Sequence, residues 1–503
     1  MEQNRGLTDL IYEYYESRIL FGIYRYGERL SSVPQICAAF RLGRNTVLSA
    51  LDKLEKNGYI ETEERKTARV IYQGSEEVFR ENAAKYFVPR KEGIIDFQYA
   101  GEFLFLPMWK IGTPVVELDV LNSAFGNGKN KGKVTISPPV KLYFDILRVF
   151  DNELLINLYW QCLRYLKFLY PQRNEKRPVY AVEGRLSQEQ INDMKQDFDD
   201  YFTSMQDEVL DFIETAREEY HLENVKQIPF SWIICRRRPQ VRYTLASEII
   251  REILWEDYPV DSYLPSLPKM AERYGVSLST VRRTLDVLNS LGVTRTYMGI
   301  GTKVCLEPVD IKILEIPEIR ENLKMHGEGM QILALTVSGV TLFTLEAAEE
   351  KKKGEFLQRI RQLHGKTSSI LCIDVLLSFI SSECPSSIIR ECYEKLRELA
   401  AWGYIFSAVM MENGELNSSL DEFIALLEED LQKGDLPAFA GRWQSFIDNR
   451  LKYFMRSFLS GRNSRIWPPK RAAHGLNRPC RENIPQDAAV LPAFLCLCNI
   501  SKM

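Results

Sequence analysis

The 503-residue chain has no CxxC pair among its ten cysteines. Its closest two, Cys496 and Cys498, are too near each other for an ordinary disulfide and have no histidine beside them. Both a disulfide framework and the usual zinc-cluster spacing are thereby excluded, and free thiols in a reducing cytosol are expected. Histidine is scarce: His221, His326, His364 and His474 are all there are, and no metal or cofactor is expected. The start, MEQNRGLTDLIYEYYES, lacks the apolar core of a signal peptide, and no apolar run reaches the ~18–20 residues that cross a bilayer. The longest, Met330 to Leu345, is interrupted by Thr, Ser and Gly. These absences predict a soluble, cytoplasmic protein with no membrane partner.

Enzyme signatures are missing too. There is no GxxxxGK-S/T, no GxGxxG after a strand, no GxSxG and no HExxH, so no catalytic residues are assigned. Phe125 to Lys133 looks phosphate-friendly but lacks a flanking strand and helix, and reads as a flexible basic loop. Nor is there an excess of charge of one sign. The 65 Lys plus Arg against 68 Asp plus Glu leave a net charge of -3, so any nucleic-acid site must be local.

What is present is apolar material for sizeable cores, 45% of the residues, in a chain long enough for several domains. An internal repeat organises it. Tyr14 to Val70 aligns with Glu248 to Val304 at a constant offset of 234 residues without a gap, and 14 of the 57 pairs are identical, among them Leu30/Leu264, Pro34/Pro268, Thr46/Thr280, Leu51/Leu285 and Gly58/Gly292.

Each copy reads the same way. Leu10, Ile11, Tyr14, Tyr15 and Ile19, and likewise Ile249, Ile250, Ile253 and Leu254, recur at helical spacing. Ser32 and Ser266 stand as N-caps of a short second helix with Pro two residues on. A third helix is predicted from about Arg44 to Asn57 and from about Ser279 to Leu291, ended by Gly58 and Gly292. A β-hairpin follows, with a charged tip, Glu63 to Lys66, in the first copy and Met298-Gly299-Ile300-Gly301 in the second. Three helices and a hairpin make a winged helix-turn-helix.

The run Tyr263 to Leu285, with Leu288, Gly292 and the wing Gly299-Ile300-Gly301-Thr302, resembles the DNA-binding domain of GntR-family bacterial transcription regulators. The first copy resembles it more loosely, through Gly27 to Ser32 and Leu42 to Val47. The resemblance implies double-stranded DNA as the partner. It covers roughly a quarter of the chain, and two copies depart from the single N-terminal winged helix of that family, whose members dimerise.

The start of a recognition helix faces base edges, while wings hold phosphate. That exposes Arg44, Asn45, Thr46 and Ser49 in the first copy and Ser277, Ser279, Thr280, Arg282 and Arg283 in the second. Arg44, Asn45 and Arg282 suit base reading, and Thr46, Ser277, Ser279 and Thr280 suit phosphate. Wing residues Arg65, Lys66, Arg69 and Lys303 are candidates for backbone or minor-groove contact. The family Arg before the recognition helix is Arg44 in one copy but Leu278 in the other; the family Arg one turn on is Leu48 in the first and Arg282 in the second.

Residues 76–240 and 309–462 are about equal in length and carry helical patterns, notably Leu186 to Glu219 and Leu420 to Phe458, the latter broken near Gly434-Asp435. Tyr159, Trp160, Arg164, Tyr165, Tyr404, Phe406, Arg442 and Trp443 could line a small-molecule pocket, although ordinary helix packing is the favoured reading.

The expected architecture is thus mainly α: a winged helix-turn-helix at 1–75, a mostly helical effector or dimerisation domain at 76–240, a second winged helix-turn-helix at 241–308, a second helical domain at 309–462 and a flexible tail at 463–503. The expected function is a sequence-specific transcription regulator with two non-identical DNA readers and a possible small-molecule effector, working as a homodimer or as a monomeric pseudo-dimer. The alternative is a protein-interaction scaffold whose winged helices pack on partners.

Overall fold

Apolar side chains at helical spacing place α1 (Arg5–Leu20), whose Leu10, Ile11, Tyr14, Tyr15 and Ile19 are all buried. It packs on α3 (Arg44–Lys56) after the short α2 (Val33–Phe40). In this computed structural model the described residues are 5–40, 42–63, 66–116, 138–167, 188–234, 241–306, 316–365, 369–403 and 418–459. Arg65, the loop Phe125 to Lys133, Tyr404, Phe406 and the tail at 463–503 lie outside them.

Gly58, at φ +76°, turns the chain from α3 into a hairpin of β1 (Ile60–Glu61) and β2 (Arg69–Val70), with Glu61 opposite Arg69. The segment before α2 is joined to β2 by an isolated antiparallel bridge: Gly27 N–H donates to Val70 O, Val70 N–H to Glu28 O and Leu30 N–H to Ala68 O, at 2.8–2.9 Å.

The same sequence of elements recurs from Val241. It comprises α10 (Val241–Leu254), α11 (Leu267–Arg273), α12 (Leu278–Ser290), β3 (Thr294–Tyr297) and β4 (Gly301–Val304). Asp261 N–H donates to Val304 O, Val304 N–H to Ser262 O and Leu264 N–H to Thr302 O, each at 2.9 Å. Every one of these bonds lies 234 residues beyond its counterpart. The serines before α2 and α11 do not cap as expected. Ser266 makes no side-chain capping bond, and at Ser32 it is the Gln35 side chain that accepts from the Ser32 N–H, at 2.9 Å. Pro34 and Pro268 occupy the second helical position, where no N–H is required.

The helical segments contain α4 (Glu76–Phe87), α5 (Lys91–Ala100), a π-helical turn at Gly101–Phe105, α6 (Leu106–Gly112), α7 (Pro138–Arg148), α8 (Glu153–Tyr165) and α9 (Gln188–Glu219). After the second hairpin come α13 (Pro317–Ala347), α14 (Glu350–Arg361), α15 (Ser369–Glu383), α16 (Ser387–Ala400), α17 (Ser418–Lys433) and α18 (Leu436–Leu459). Buried residues from both segments join one hydrophobic cluster, and the first three-helix unit joins it as well, through Phe40 stacked on Trp160 at 5.9 Å and Phe21 against Phe87 at 5.6 Å. The second unit keeps its own cluster, seated on Ile319, Leu323, Trp402 and Phe454.

The expectation that no segment is long enough to cross a bilayer needs correction. α13 passes that test by length and composition because its Thr, Ser and Gly interrupt the apolar run without adding charge. Two thirds of its apolar stretch (67%) is nevertheless buried among other helices, and Thr336 and Thr344 return their hydroxyl protons to carbonyls one turn back, as in a core helix.

α13 also carries His326, buried against Phe454 with Nδ1 at 3.1 Å from Leu399 O. Burial pushes its imidazole down to about 4 from the usual 6.5. The unfolded chain therefore takes up a proton first, so this contribution to stability is present above pH 6.5 and is lost as the pH falls towards 4. Acidification from pH 7 to pH 5 should cost His326 about 2 kcal/mol. Urea unfolding of the wild type and His326→Gln at both pH values checks this; equal acid losses in the two proteins would refute it.

Candidate nucleic-acid interface

α3 turns Val47, Ala50, Leu51 and Leu54 into the core and leaves Arg44, Asn45, Leu48 and Ser49 on its outer face. Thr46 was expected on that face but is 4% exposed, because it lies on the same side of the helix as Ala50 and precedes Val47 in the first turn. Its hydroxyl is not placed to meet a phosphate.

In α12 the outer face holds Leu278, Ser279, Arg282 and Arg283, with Thr280 half-buried. Ser277 caps this helix: its Oγ accepts from the Thr280 N–H at 3.1 Å. The same Oγ lies 2.8 Å from Ser279 Oγ and 2.9 Å from Thr280 Oγ1. The hydroxyls expected to take phosphate are thus engaged with one another. The equivalent position in the first unit is Gly43, which has no side chain to cap with. Ser277→Ala should lower stability by about 1 kcal/mol, read as a shift of the urea midpoint; an unchanged midpoint would contradict the capping role.

Arg44, Arg282 and Arg283 have no ion-pair partner among the described residues and stand exposed at the starts of the two helices. The hairpin cations differ. Arg69 pairs with Glu61 across the hairpin, Lys66 with Glu63, and Lys303 with Asp261 at 2.7 Å. The hydrogen bond from Lys66 holds the Glu63 carboxyl below its ordinary range, and those to Glu61 and Asp261 hold Arg69 and Lys303 above theirs. A phosphate must displace a carboxylate to reach any of these three. Arg29, absent from the expected set, belongs with them: it bridges to Arg69 in the sheet and donates to Thr67 O at 2.6 Å. Its place before α2, outside the hairpin itself, is what hid it. The second hairpin carries instead a bare apolar tip, with Met298 fully exposed and Ile300 72% exposed.

Of the residues that could line a pocket, five described ones are engaged in packing or ion pairs. Tyr159, Trp160 and Trp443 are buried, Arg164 is bonded to Glu13 and Arg442 to Asp430. Among the described residues no three His, Cys, Asp or Glu converge as a metal site.

Residues 7–70, the span from α1 through β2, match the family described as bacterial regulatory proteins, gntR family. These residues are a GntR-family DNA-binding domain. No curated protein matches the chain. Similar solved structures include Lar of Listeria monocytogenes, described as controlling expression of the agr system and mediating virulence, at 14% identity over 44% of this chain and 99% of that one, TM-score 0.22. A Streptococcus agalactiae GntR gives 15% identity, 42% and 98% coverage and a TM-score of 0.18. McbR/YncC of E. coli gives 16%, 43%, 98% and 0.24. In the GntR domain the candidate reading residues reduce to Arg44, Asn45 and Ser49 on α3, with Arg29, Lys66 and Arg69 beside the hairpin.

Proposed function

We propose that the chain is a bacterial, cytoplasmic transcription regulator that acts by binding duplex DNA, not by catalysis, and that residues 241–306 form a second winged helix-turn-helix reading DNA beside the GntR domain. The observation that carries the second reader is the bond-for-bond recurrence, at a 234-residue offset, of the backbone bonds that tie the segment before the second helix to the hairpin, together with Arg282 and Arg283, exposed in the first turns of α12 with no ion-pair partner among the described residues. The two readers have different chemistry. Arg44 and Asn45 begin α3, whereas Leu278 and Ser279 begin α12 and its first guanidinium comes one turn later, at Arg282. Arg and Asn are matched to guanine and adenine edges, and Leu to the thymine methyl, so the two helices favour different half-sites.

Binding-site selection from random duplexes tests this. The expected product is an asymmetric site with two unlike halves at fixed spacing. A palindrome would overturn the unlike-reader proposal, and no enrichment at low salt would overturn DNA binding by the full chain.

A further inference from the structure

The 234-residue offset does not stop at the second wing. Asn152 caps α8 by accepting from Leu155 N–H at 2.7 Å, and Ser386 caps α16 by accepting from Ile389 N–H at 3.1 Å; the two caps are 234 residues apart. The same spacing relates the buried pairs Leu142/Leu376, Ile146/Ile380 and Tyr159/Tyr393.

The contacts between the two segments are reciprocal. On one side the Glu328 carboxylate of α13 accepts from the N–H groups of Glu153 and Leu154, at 3.4 and 3.2 Å, where α8 begins. On the other, the Asp96 carboxylate of α5 accepts from Ile388 N–H and Ser387 Oγ, at 2.8 and 2.7 Å, where α16 begins. Ser387 and Ile388 are Glu153 and Leu154 displaced by 234, and Asp96 displaced by 234 falls at position 330, between Glu328 and Gln331. Gln331 completes the first contact by accepting from Asn152 at 2.7 Å and donating to Phe150 O at 3.1 Å. Each half thus offers a carboxylate to the positive end of the other half's helix. Across the same seam Phe103 of the π-helical turn stacks on Phe343 of α13 at 4.4 Å.

An interface in which patch i meets patch j and patch j meets patch i is the isologous contact of a two-fold dimer; two unrelated domains packed side by side have no reason to produce it. The connecting segment crosses the same seam. Ile228 N–H is bonded to Pro89 O, and Trp232 bonds Asn157 of the first half through Nε1 and Glu391 of the second through its backbone N–H.

We infer that the helical halves close on each other as an internal pseudo-dimer, so that one polypeptide, not a pair, is the unit that presents both readers. The inference rests on the two-reader proposal for its functional meaning, though not for its structural content. The face that would recruit a second copy is filled from within the chain, and the two readers are held in a fixed order on the DNA.

Sedimentation of the full chain without DNA should give the mass of one 58.4 kDa chain at every loading concentration, and native mass spectrometry of the complex should give one chain per duplex. A two-chain particle, free or bound, overturns the inference. A single chain that binds no duplex overturns the DNA proposal alone, whereas a dimer that binds overturns the pseudo-dimer alone. In urea, Asp96→Ala and Glu328→Ala should each lower the folding equilibrium constant roughly tenfold within one shared helical-body transition. Two separate transitions, each sensitive to only one of the substitutions, would also overturn it.

Discussion

Arg44→Ala should weaken binding of the full chain to its selected duplex by about 1–3 kcal/mol, roughly five- to 150-fold, the worth of one bidentate base contact. The side chain stands exposed at the start of α3 with no ion-pair partner among the described residues, so its removal leaves the fold unchanged. Arg282→Ala should act similarly on the other half-site, and the combined variant should show nearly additive losses because the two residues belong to separate units. Truncating Lys66, Arg69 or Lys303 should cost less, since each already spends its charge on Glu63, Glu61 or Asp261. Fluorescence anisotropy at one fixed salt concentration measures all of these. Unchanged affinity in the double variant, with an altered assembly state, would favour the interaction-scaffold reading.

Asp374→Ala should have the largest effect on stability. Asp374 is 2% exposed in α15, and its carboxylate accepts from Arg397 Nε at 2.6 Å and Arg397 Nη2 at 3.3 Å. Trp255 Nε1 donates to it at 2.8 Å, and Arg251 Nε lies 4.0 Å away. Arg251 belongs to α10, and Trp255 follows it directly, so this one carboxylate joins the second three-helix unit to the helical body. Removing it strands two guanidinium groups in a poorly solvated place, for which the cost is about 3–5 kcal/mol. Urea unfolding reads the loss, and a change below about 1 kcal/mol, the range of a surface ion pair, would show that the carboxylate is not the tie described.

The two three-helix units were legible in the sequence because their signals are local: apolar residues at helical spacing, glycines at 58 and 292, and a gapless offset. The side-chain roles were less so. Thr46 departs from its expected place by the one-residue step that separates a helix's inner face from its outer face. Position in the helix suggests Ser277 for phosphate, but the nearer unsatisfied group is the Thr280 N–H. The neutralised wing could not be seen without the register that sets Glu61 opposite Arg69. Least visible was the joining of the helical segments into one core, since Asp96 and Ser387 meet across 291 residues of sequence with no local pattern to announce the contact.

One chain is proposed to carry two working readers of unlike chemistry. Hydroxyl-radical footprinting of the full chain on its selected duplex tests it most directly. Two protected tracts of different sequence are expected, with Arg44→Ala fading one and Arg282→Ala the other. A single tract, erased by Arg44→Ala and indifferent to Arg282→Ala, would contradict it.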